Sequence, residues 1–193
     1  MYLKGDKELE VIALYRSNYK LRFYLRQISK LTNMAVKTTQ RVLMNLENDK
    51  ILKSKIEGKN KYFTLNLDNI RTKSYLLQSE IHKMDNFLLH YPQFKTFLKS
   101  INLNTPLILF GSFAKLNADK NSDVDLMVIS GKTPNLDFHL IPYKFHCVNL
   151  SEETFQKALK EKETLIEEIK DNHIILNNHS FYITAMWDYY GKN

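Results

Sequence analysis

The chain has 193 residues, of which 44% are hydrophobic and 25% charged, with only 5 Gly and 4 Pro. This composition excludes collagen-like, low-complexity and wholly disordered proteins, and the length predicts one large or two small domains. Cys147 is the only cysteine, which excludes an intramolecular disulfide and favours a reducing cytoplasm. No apolar run approaches the ~20 residues of a transmembrane helix, and the N-terminus lacks the pattern of an export signal, so no membrane partner is expected.

The positive charge is concentrated in the first third of the chain. The formal net charge is +7, and residues 1–70 contain 14 Lys and Arg against 7 Asp and Glu. Residues 71–193 contain 14 of each sign. A basic excess confined to one segment indicates a separate unit that faces a polyanion, although a solvated lysine-rich surface would give the same count.

The pattern of residues 1–70 predicts helices followed by a β-hairpin. Apolar residues recur at helical spacing in three stretches, 7–18, 24–31 and 36–46. Asn33 lies between the second and third stretches, where an Asn can adopt the left-handed conformation of a sharp turn. The β-like runs ILKSKI and KYFTLNL then flank the turn residues 57–60.

The segment QISKLTNMAVKTTQRVLMNLENDKIL resembles the helix-turn-helix of MarR- and ArsR-like regulators, and the resemblance covers about residues 6–67. It implies a winged helix-turn-helix that binds double-stranded DNA, regulates transcription and forms a homodimer. Polar and cationic side chains near the start of a helix in the major groove reach bases and phosphates, and wing lysines reach the backbone. The DNA-binding candidates are Lys37, Thr38, Thr39, Gln40, Arg41, Lys53, Lys55, Lys59 and Lys61. The alternative is a winged helix used only for contacts with a protein partner.

Residues 71–104 are predicted to form connecting helices. RTKSYLLQSEIHKMDNFLLH carries apolar residues at three- and four-residue spacing, and the pattern breaks near Pro92 before QFKTFLKSI resumes it. The apolar stripe packs on a neighbouring domain or forms a dimer seam, and both possibilities stay open.

The stretch from residue 105 to residue 130 carries the chemistry. The apolar run Leu107–Phe110 predicts a buried strand that ends at Gly111-Ser112, and Asp123 and Asp125 open the next apolar run. Two carboxylates two residues apart on a strand face the same side, where a hard cation such as Mg²⁺ would balance their charge. A Gly-Ser turn offers N–H groups and a hydroxyl to a phosphate. Together these features indicate metal-assisted phosphoryl or nucleotidyl transfer, whereas Asp-x-Asp alone would also suit a solvated strand end.

Gly111-Ser112-Phe113-Ala114 followed by Ser122-Asp123-Val124-Asp125-Leu126 resembles the signature of the polymerase β-like nucleotidyltransferase superfamily, and especially its minimal nucleotidyltransferases. The resemblance implies a small mixed-sheet nucleotidyltransferase fold. It implies that Gly111, Ser112 and Ser122 bind the phosphates of a nucleoside triphosphate. It also implies that Asp123 and Asp125 are catalytic and hold Mg²⁺.

The chain departs from this signature at two places. Leu116 replaces a second glycine of the turn, and residues 141–150, the next predicted strand, contain no Asp or Glu where active members carry a third carboxylate. Lys144 is interpreted as standing at that place. His146 is interpreted as a half-buried strand residue rather than a base or ligand, and Cys147 as a buried one. Either the fold persists with weak or lost catalysis, or another acid substitutes; the candidates are Asp119, Asp137 and Glu152.

The remaining residues complete the predicted α+β chain. Ser151 is expected to cap a helix, residues 174–176 to form a short strand, and FYITAMWDYYG to form a closing helix. The predicted domains are a winged helix-turn-helix (1–70), connecting helices (71–104) and a nucleotidyltransferase-like domain (105–193). The expected function is a DNA-binding regulator whose second domain binds NTP and Mg²⁺ with weak or no catalysis. The alternatives are an active, antitoxin-like enzyme that transfers NMP to a protein, RNA or small molecule, and a non-enzymatic scaffold.

Overall fold

The computed structural model describes residues 6–101, 104–131 and 136–191, and it confirms a mixed α+β fold with two separate sheets. The chain divides into two compact units. The first contains the described residues up to His82 together with Tyr190 and Gly191, and the second runs from Lys83 to Tyr189. The division falls inside one long helix, α4 (Ile70–His90), whereas the sequence suggested a separate connecting segment over residues 71–104.

The first unit places its helices and hairpin where the sequence predicts them. Its elements before α4 are α1 (Asp6–Ala13), β1 (Phe23–Tyr24), α2 (Leu25–Leu31), α3 (Val36–Asn48), β2 (Leu52–Glu57) and β3 (Asn60–Leu65). The strands form an antiparallel sheet of order β1-β3-β2, and the two-residue strand β1 has no signal of its own in the sequence. Asn33 adopts a φ of 53°, which confirms the predicted left-handed turn between α2 and α3.

Buried aromatic and ionic contacts hold the first unit together. The hydroxyl of Tyr15 donates a hydrogen bond of 3.0 Å to the carbonyl of Phe63 on β3, and burial raises the pKa of this phenol. The guanidinium of Arg16 binds the buried carboxylate of Glu80 on α4 through two contacts of 2.8 and 2.6 Å. These contacts fix the end of α1 and the following loop against the hairpin and α4.

The second unit is built on a mixed sheet of order β6-β5-β4-β7. Its elements after α4 are α5 (Phe94–Ser100), β4 (Leu107–Phe110), α6 (Gly111–Ala114), β5 (Val124–Ile129), a 3₁₀ turn (Phe138–Leu140), β6 (Phe145–Leu150), α7 (Glu152–Glu161), α8 (Thr164–Asp171), β7 (Ile174–Asn177) and α9 (His179–Gly191). β4 pairs antiparallel with β5 and β7, and β5 pairs parallel with β6. The predicted short strand and closing helix are therefore present, as β7 and α9.

The order of the strands explains their burial. The interior strands β4 and β5 consist mostly of buried apolar residues, as expected for strands covered on both faces. β6 lies at the edge, and Cys147 on it is exposed, so the expectation that this thiol is buried is wrong.

The hydroxyl of Ser151 accepts a hydrogen bond of 3.1 Å from the N–H of Thr154, which confirms it as the cap of α7.

None of the helices among the described residues has both the length and the apolar character needed to span a bilayer.

Candidate functional site

Gly111 and Asp125 lie in direct contact at the end of β4. The antiparallel register places Phe110 opposite Asp125, and the next residue, Gly111, turns the chain with a φ of +67°. A Cβ atom on Gly111 would lie 3.0 Å from Cγ and 3.3 Å from Cβ of Asp125, and closer still to its Oδ2. Both the positive φ and this approach require glycine here, because any other side chain would collide with the carboxylate.

Asp123 lies two residues before Asp125, immediately before β5 begins. Its carboxylate is exposed and has no ion pair or hydrogen bond among the described residues. Asp125 is partly covered, with 27% of its side chain exposed. Alternation along an extended chain directs the two side chains to the same face of the sheet. Gly111 and Asp125 therefore meet where β4 ends and β5 begins, and Asp123 lies two residues before Asp125 at the same end of these strands.

The neighbour of Asp125 on the other side is His146. The parallel register places His146 opposite Asp125, and the ring Nδ1 lies 3.3 Å from Oδ1 of the carboxylate. With 67% of its side chain exposed, His146 is not the half-buried residue that was expected. Lys144 precedes β6, and its carbonyl accepts the N–H of Val124 at 2.8 Å, so His146 and not Lys144 is the residue opposite Asp125. An imidazole therefore occupies the strand position beside Asp125.

The two serines of the signature have different surroundings. Ser112 lies in the single turn α6, and its hydroxyl has no hydrogen-bond partner among the described residues. The hydroxyl of Ser122, in contrast, accepts the N–H of Asp119 at 2.9 Å and lies 3.1 Å from its Oδ1. Ser122 thus closes the loop that leads into Asp123, so its hydroxyl is occupied within the protein. Leu116, which replaces the second glycine, is exposed and adopts a φ of 56°.

None of the candidate substitute acids completes a metal cage. Asp119 accepts the N–H of Asn121 at 2.8 Å within its loop, Asp137 precedes the 3₁₀ turn, and Glu152 lies in the first turn of α7. Among the described residues, no three His, Cys, Asp or Glu side chains are grouped so that they could hold a metal ion. Two carboxylates nevertheless fit Mg²⁺ when substrate phosphates supply further oxygens, which is its usual mode with nucleotides.

The residues predicted to bind DNA differ in their accessibility. Lys37, Gln40 and Arg41 are exposed on α3, and Thr38 is partly exposed. Thr39 is fully buried, and its hydroxyl donates a hydrogen bond of 3.1 Å to the carbonyl of Ala35. Thr39 is therefore a structural residue, and its assignment as a DNA contact is wrong. It lies about one helical turn before the buried residues 42 and 43, which places it on the inner face of the helix.

Three lysines of the hairpin are paired with carboxylates. Lys53 binds Asp68, Lys55 lies 3.4 Å from Glu57, and Lys61 lies 2.7 Å from Glu47. Lys59, at the tip, has no acidic partner among the described residues. The hydrogen bonds from Lys61 and Ser54 hold the pKa of the Glu47 carboxyl below its usual range, and the bond from Arg22 does the same for Glu57. Sequence patterns did not indicate the pairs of Lys53 and Lys61, because these lysines are 15 and 14 residues from their acids along the chain.

Residues 92–180 match the family model of the nucleotidyltransferase domain. The matched segment contains Gly111, Ser112, Asp123, Asp125 and His146. It supports a nucleotidyltransferase domain in the C-terminal half of the chain and, in general terms, a nucleotidyltransferase-type function. Neither the curated proteins nor the solved structures contain a significant match to the chain.

Proposed function

We propose that this protein is a DNA-binding regulator whose second unit binds a nucleoside triphosphate together with Mg²⁺ and catalyses nucleotidyl transfer weakly or not at all. The observation that carries the nucleotide part is the contact between Gly111 and the carboxylate of Asp125, within a segment that matches the nucleotidyltransferase domain. A backbone that approaches a carboxylate this closely favours a compact phosphate and metal site.

Each residue of the site has a distinct role in this proposal. Asp123 and Asp125 would hold Mg²⁺, which would offset the charge of the triphosphate. The turn at Gly111 keeps the backbone close to the phosphates, and the hydroxyl of Ser112, which has no partner among the described residues, is available to donate to a phosphate oxygen. Ser122 acts indirectly, by closing the loop that positions Asp123.

Weak catalysis follows from the side chain beside Asp125. β6 contains no Asp or Glu, and His146 stands opposite Asp125. The polymerase β-like signature places a third acid on this strand, where it completes the metal site and can accept a proton from the attacking hydroxyl. With an imidazole in that place, the site keeps two metal-binding carboxylates and loses the third.

Nucleotide binding tests this part of the proposal. We expect a fluorescent nucleoside triphosphate to bind the wild type in the presence of Mg²⁺ and to be released by EDTA. Asp123→Asn and Asp125→Asn should each weaken binding by about tenfold or more, because each removes a charged metal ligand. Asp171→Asn, at the exposed end of α8, makes the same change of charge and should have no effect. Binding that is unchanged in both site variants would refute the proposed site.

A second candidate function is transfer of a nucleoside monophosphate to a protein, RNA or small-molecule acceptor. Retention of an exposed Asp123 beside Asp125 favours it. Incubation with α-labelled NTP, Mg²⁺ and candidate acceptors distinguishes the two functions. Label on an acceptor that is lost in Asp125→Asn would establish the enzyme, whereas binding without transfer supports the regulator.

The DNA-binding part rests on the excess of basic residues in the first unit and on the two helices, α2 and α3, that flank the turn at Asn33. Duplex DNA should bind the full-length protein with an affinity that falls steeply as salt rises, because phosphate contacts release counterions. DNA binding would be refuted if the protein bound no duplex at low salt. Contacts with the phosphates would be refuted if the affinity did not change with the salt concentration. Chromatography of the free protein and of the complex would test the expected homodimer.

A further inference from the structure

The cations of the hairpin and those of α2 and α3 have different neighbours. Lys53, Lys55 and Lys61 of the hairpin, together with Arg22, lie within ion-pair distance of a carboxylate. A lysine whose charge is already balanced by a fixed carboxylate attracts a phosphate less, because the phosphate must displace the acid or tolerate it nearby. The hairpin therefore presents less positive potential than its lysine count indicates.

Four cations without an acidic partner in the described part of the chain lie on the two helices that flank the turn at Asn33. Arg26 and Lys30 are four residues apart on α2, and Lys37 and Arg41 are four residues apart on α3. All four are exposed, and none has an acidic partner among the described residues. Spacing of four residues places both members of each pair on the same face of their helix.

The outer face of α3 also carries no carboxylate. Its inner face is defined by four buried residues, Thr39, Val42, Leu43 and Leu46. The exposed residues on the opposite side are cationic, amide-bearing or apolar: Lys37, Gln40, Arg41, Met44, Asn45 and Asn48. At one edge, the amide of Asn45 donates a hydrogen bond of 3.4 Å to Glu8 of α1. The acid at the edge of this face, Glu47, is turned toward the hairpin, where it binds Ser54 and Lys61. No fixed negative charge on α3 therefore opposes a polyanion along this face.

We propose, on the basis of the proposed DNA binding, that Arg26, Lys30, Lys37 and Arg41 form the phosphate-binding surface and that the paired lysines of the hairpin do not. Lys59, at the tip of the hairpin, can add one further contact. The partner that fits this surface is B-form duplex DNA. An exposed helix with cations and an amide near its first turns fits the major groove of B-DNA, whereas the major groove of A-form RNA is too narrow and deep.

Two lysine substitutions with the same change of charge separate the cations of the helices from those of the hairpin. Lys30→Ala removes an unpaired cation and Lys53→Ala a paired one, and binding of labelled duplex DNA by the full-length protein is measured over a range of salt concentrations. We expect Lys30→Ala to reduce the slope of log Kobs against log salt by about 0.9, the value for one lost phosphate contact. Lys53→Ala should leave the slope unchanged and the affinity within about twofold of the wild type.

A second pair of variants and an RNA duplex complete the test. Arg41→Ala should behave as Lys30→Ala, and Lys55→Ala as Lys53→Ala, with unchanged thermal melting confirming that all four variants fold. Equal slope changes in both sets, or a larger change in the hairpin variants, would overturn the assignment of the surface while leaving DNA binding intact. Failure of the wild type to bind any duplex would overturn both proposals, and tighter binding of the RNA duplex would overturn the choice of partner.

Discussion

Gly111 occupies the space that any larger residue would need beside the Asp125 carboxylate. The contact joins the last residue pair of β4 and β5 to the turn that follows, so the backbone turn and the carboxylate are positioned together. Gly58 offers a natural comparison, since it has a similar φ of +60° in the hairpin turn but no atom within 4 Å of the point where a Cβ would lie. A comparison of alanine substitutions at the two positions therefore separates the cost of the backbone conformation from the cost of crowding against the carboxylate.

We predict that Gly58→Ala costs about 1 kcal/mol of stability, the usual penalty of a left-handed conformation for a residue with a Cβ. Gly111→Ala should cost about 3 kcal/mol, because displacement of the Asp125 side chain adds to the same penalty. Urea unfolding measures both changes. Gly111→Ala should also weaken nucleotide binding while Gly58→Ala leaves it intact, and equal effects of the two substitutions on stability would show that the contact is unimportant.

The neighbour of Asp125 on β6 provides a second prediction. His146→Asp places a third carboxylate opposite Asp125, and we expect Mg²⁺-dependent nucleotide affinity to rise by about tenfold as the number of charged ligands increases. Lys144→Asp introduces an acid two residues earlier and changes the charge by a larger amount. If the position of the new carboxylate opposite Asp125 decides the effect, His146→Asp gives the larger increase in nucleotide affinity. If only the total negative charge near the site matters, Lys144→Asp gives the larger increase. Titration of nucleotide binding with Mg²⁺ measures both variants.

Much of this site could be predicted from sequence motifs that lie close together along the chain. The apolar run of β4, the Gly-Ser turn and the Asp-x-Asp pair lie within twenty residues of one another, and their order alone indicates where they meet. The side chain opposite Asp125 could not be predicted in the same way. It depends on the register of a parallel pair whose strands are separated by a long connection, and a shift of two residues would have exchanged His146 for Lys144.

The same distinction applies to the first unit. Helical periodicity and Asn33 located α2 and α3, because these signals are local. The burial of Thr39 was missed because its polar side chain was taken as a DNA contact, although its spacing of three and four residues from Val42 and Leu43 places it on the apolar face of the helix. Its hydroxyl is satisfied by the carbonyl of Ala35. The charge balance of the hairpin was missed because it depends on tertiary proximity, as in the contact of Lys61 with Glu47.

The ion pair between Arg16 and Glu80 gives a prediction about stability. Only 13% and 1% of these side chains are exposed, so Glu80→Ala should destabilise the first unit by about 3–5 kcal/mol, the usual cost of breaking a buried ion pair by removing one partner. The double variant Arg16→Met/Glu80→Leu should cost much less, because it removes both charges. Glu161→Ala breaks the exposed pair with Lys157 on α7 and serves as the surface control, with an expected change below about 0.5 kcal/mol. Denaturant unfolding compares the three, and a double variant no more stable than Glu80→Ala would contradict this reasoning.

The lowered pKa of Glu47 predicts how the first unit responds to acid. Its pKa lies below the ordinary value of 4.5, chiefly because of the hydrogen bond from Lys61, so the charged form is favoured in the folded state. The resulting stabilisation is present above pH 4.5 and is lost as the pH falls through the folded-state pKa. Glu47→Gln should therefore lower the melting temperature at neutral pH, and its difference from the wild type should shrink in acid. A difference that stays constant across this range would exclude the proposed linkage.

The hydrogen bond from Tyr15 to Phe63 has a consequence at the opposite end of the pH scale. Burial raises the pKa of this phenol above its ordinary value of 10.0, so the folded chain keeps the proton that an unfolded chain releases. Stability contributed by the neutral phenol is fully present below pH 10 and declines as the solution becomes more alkaline. Strong base thus acts on the attachment of the loop after α1 to the hairpin, and the difference in tyrosinate absorbance between the wild type and Tyr15→Phe would report the loss of that attachment.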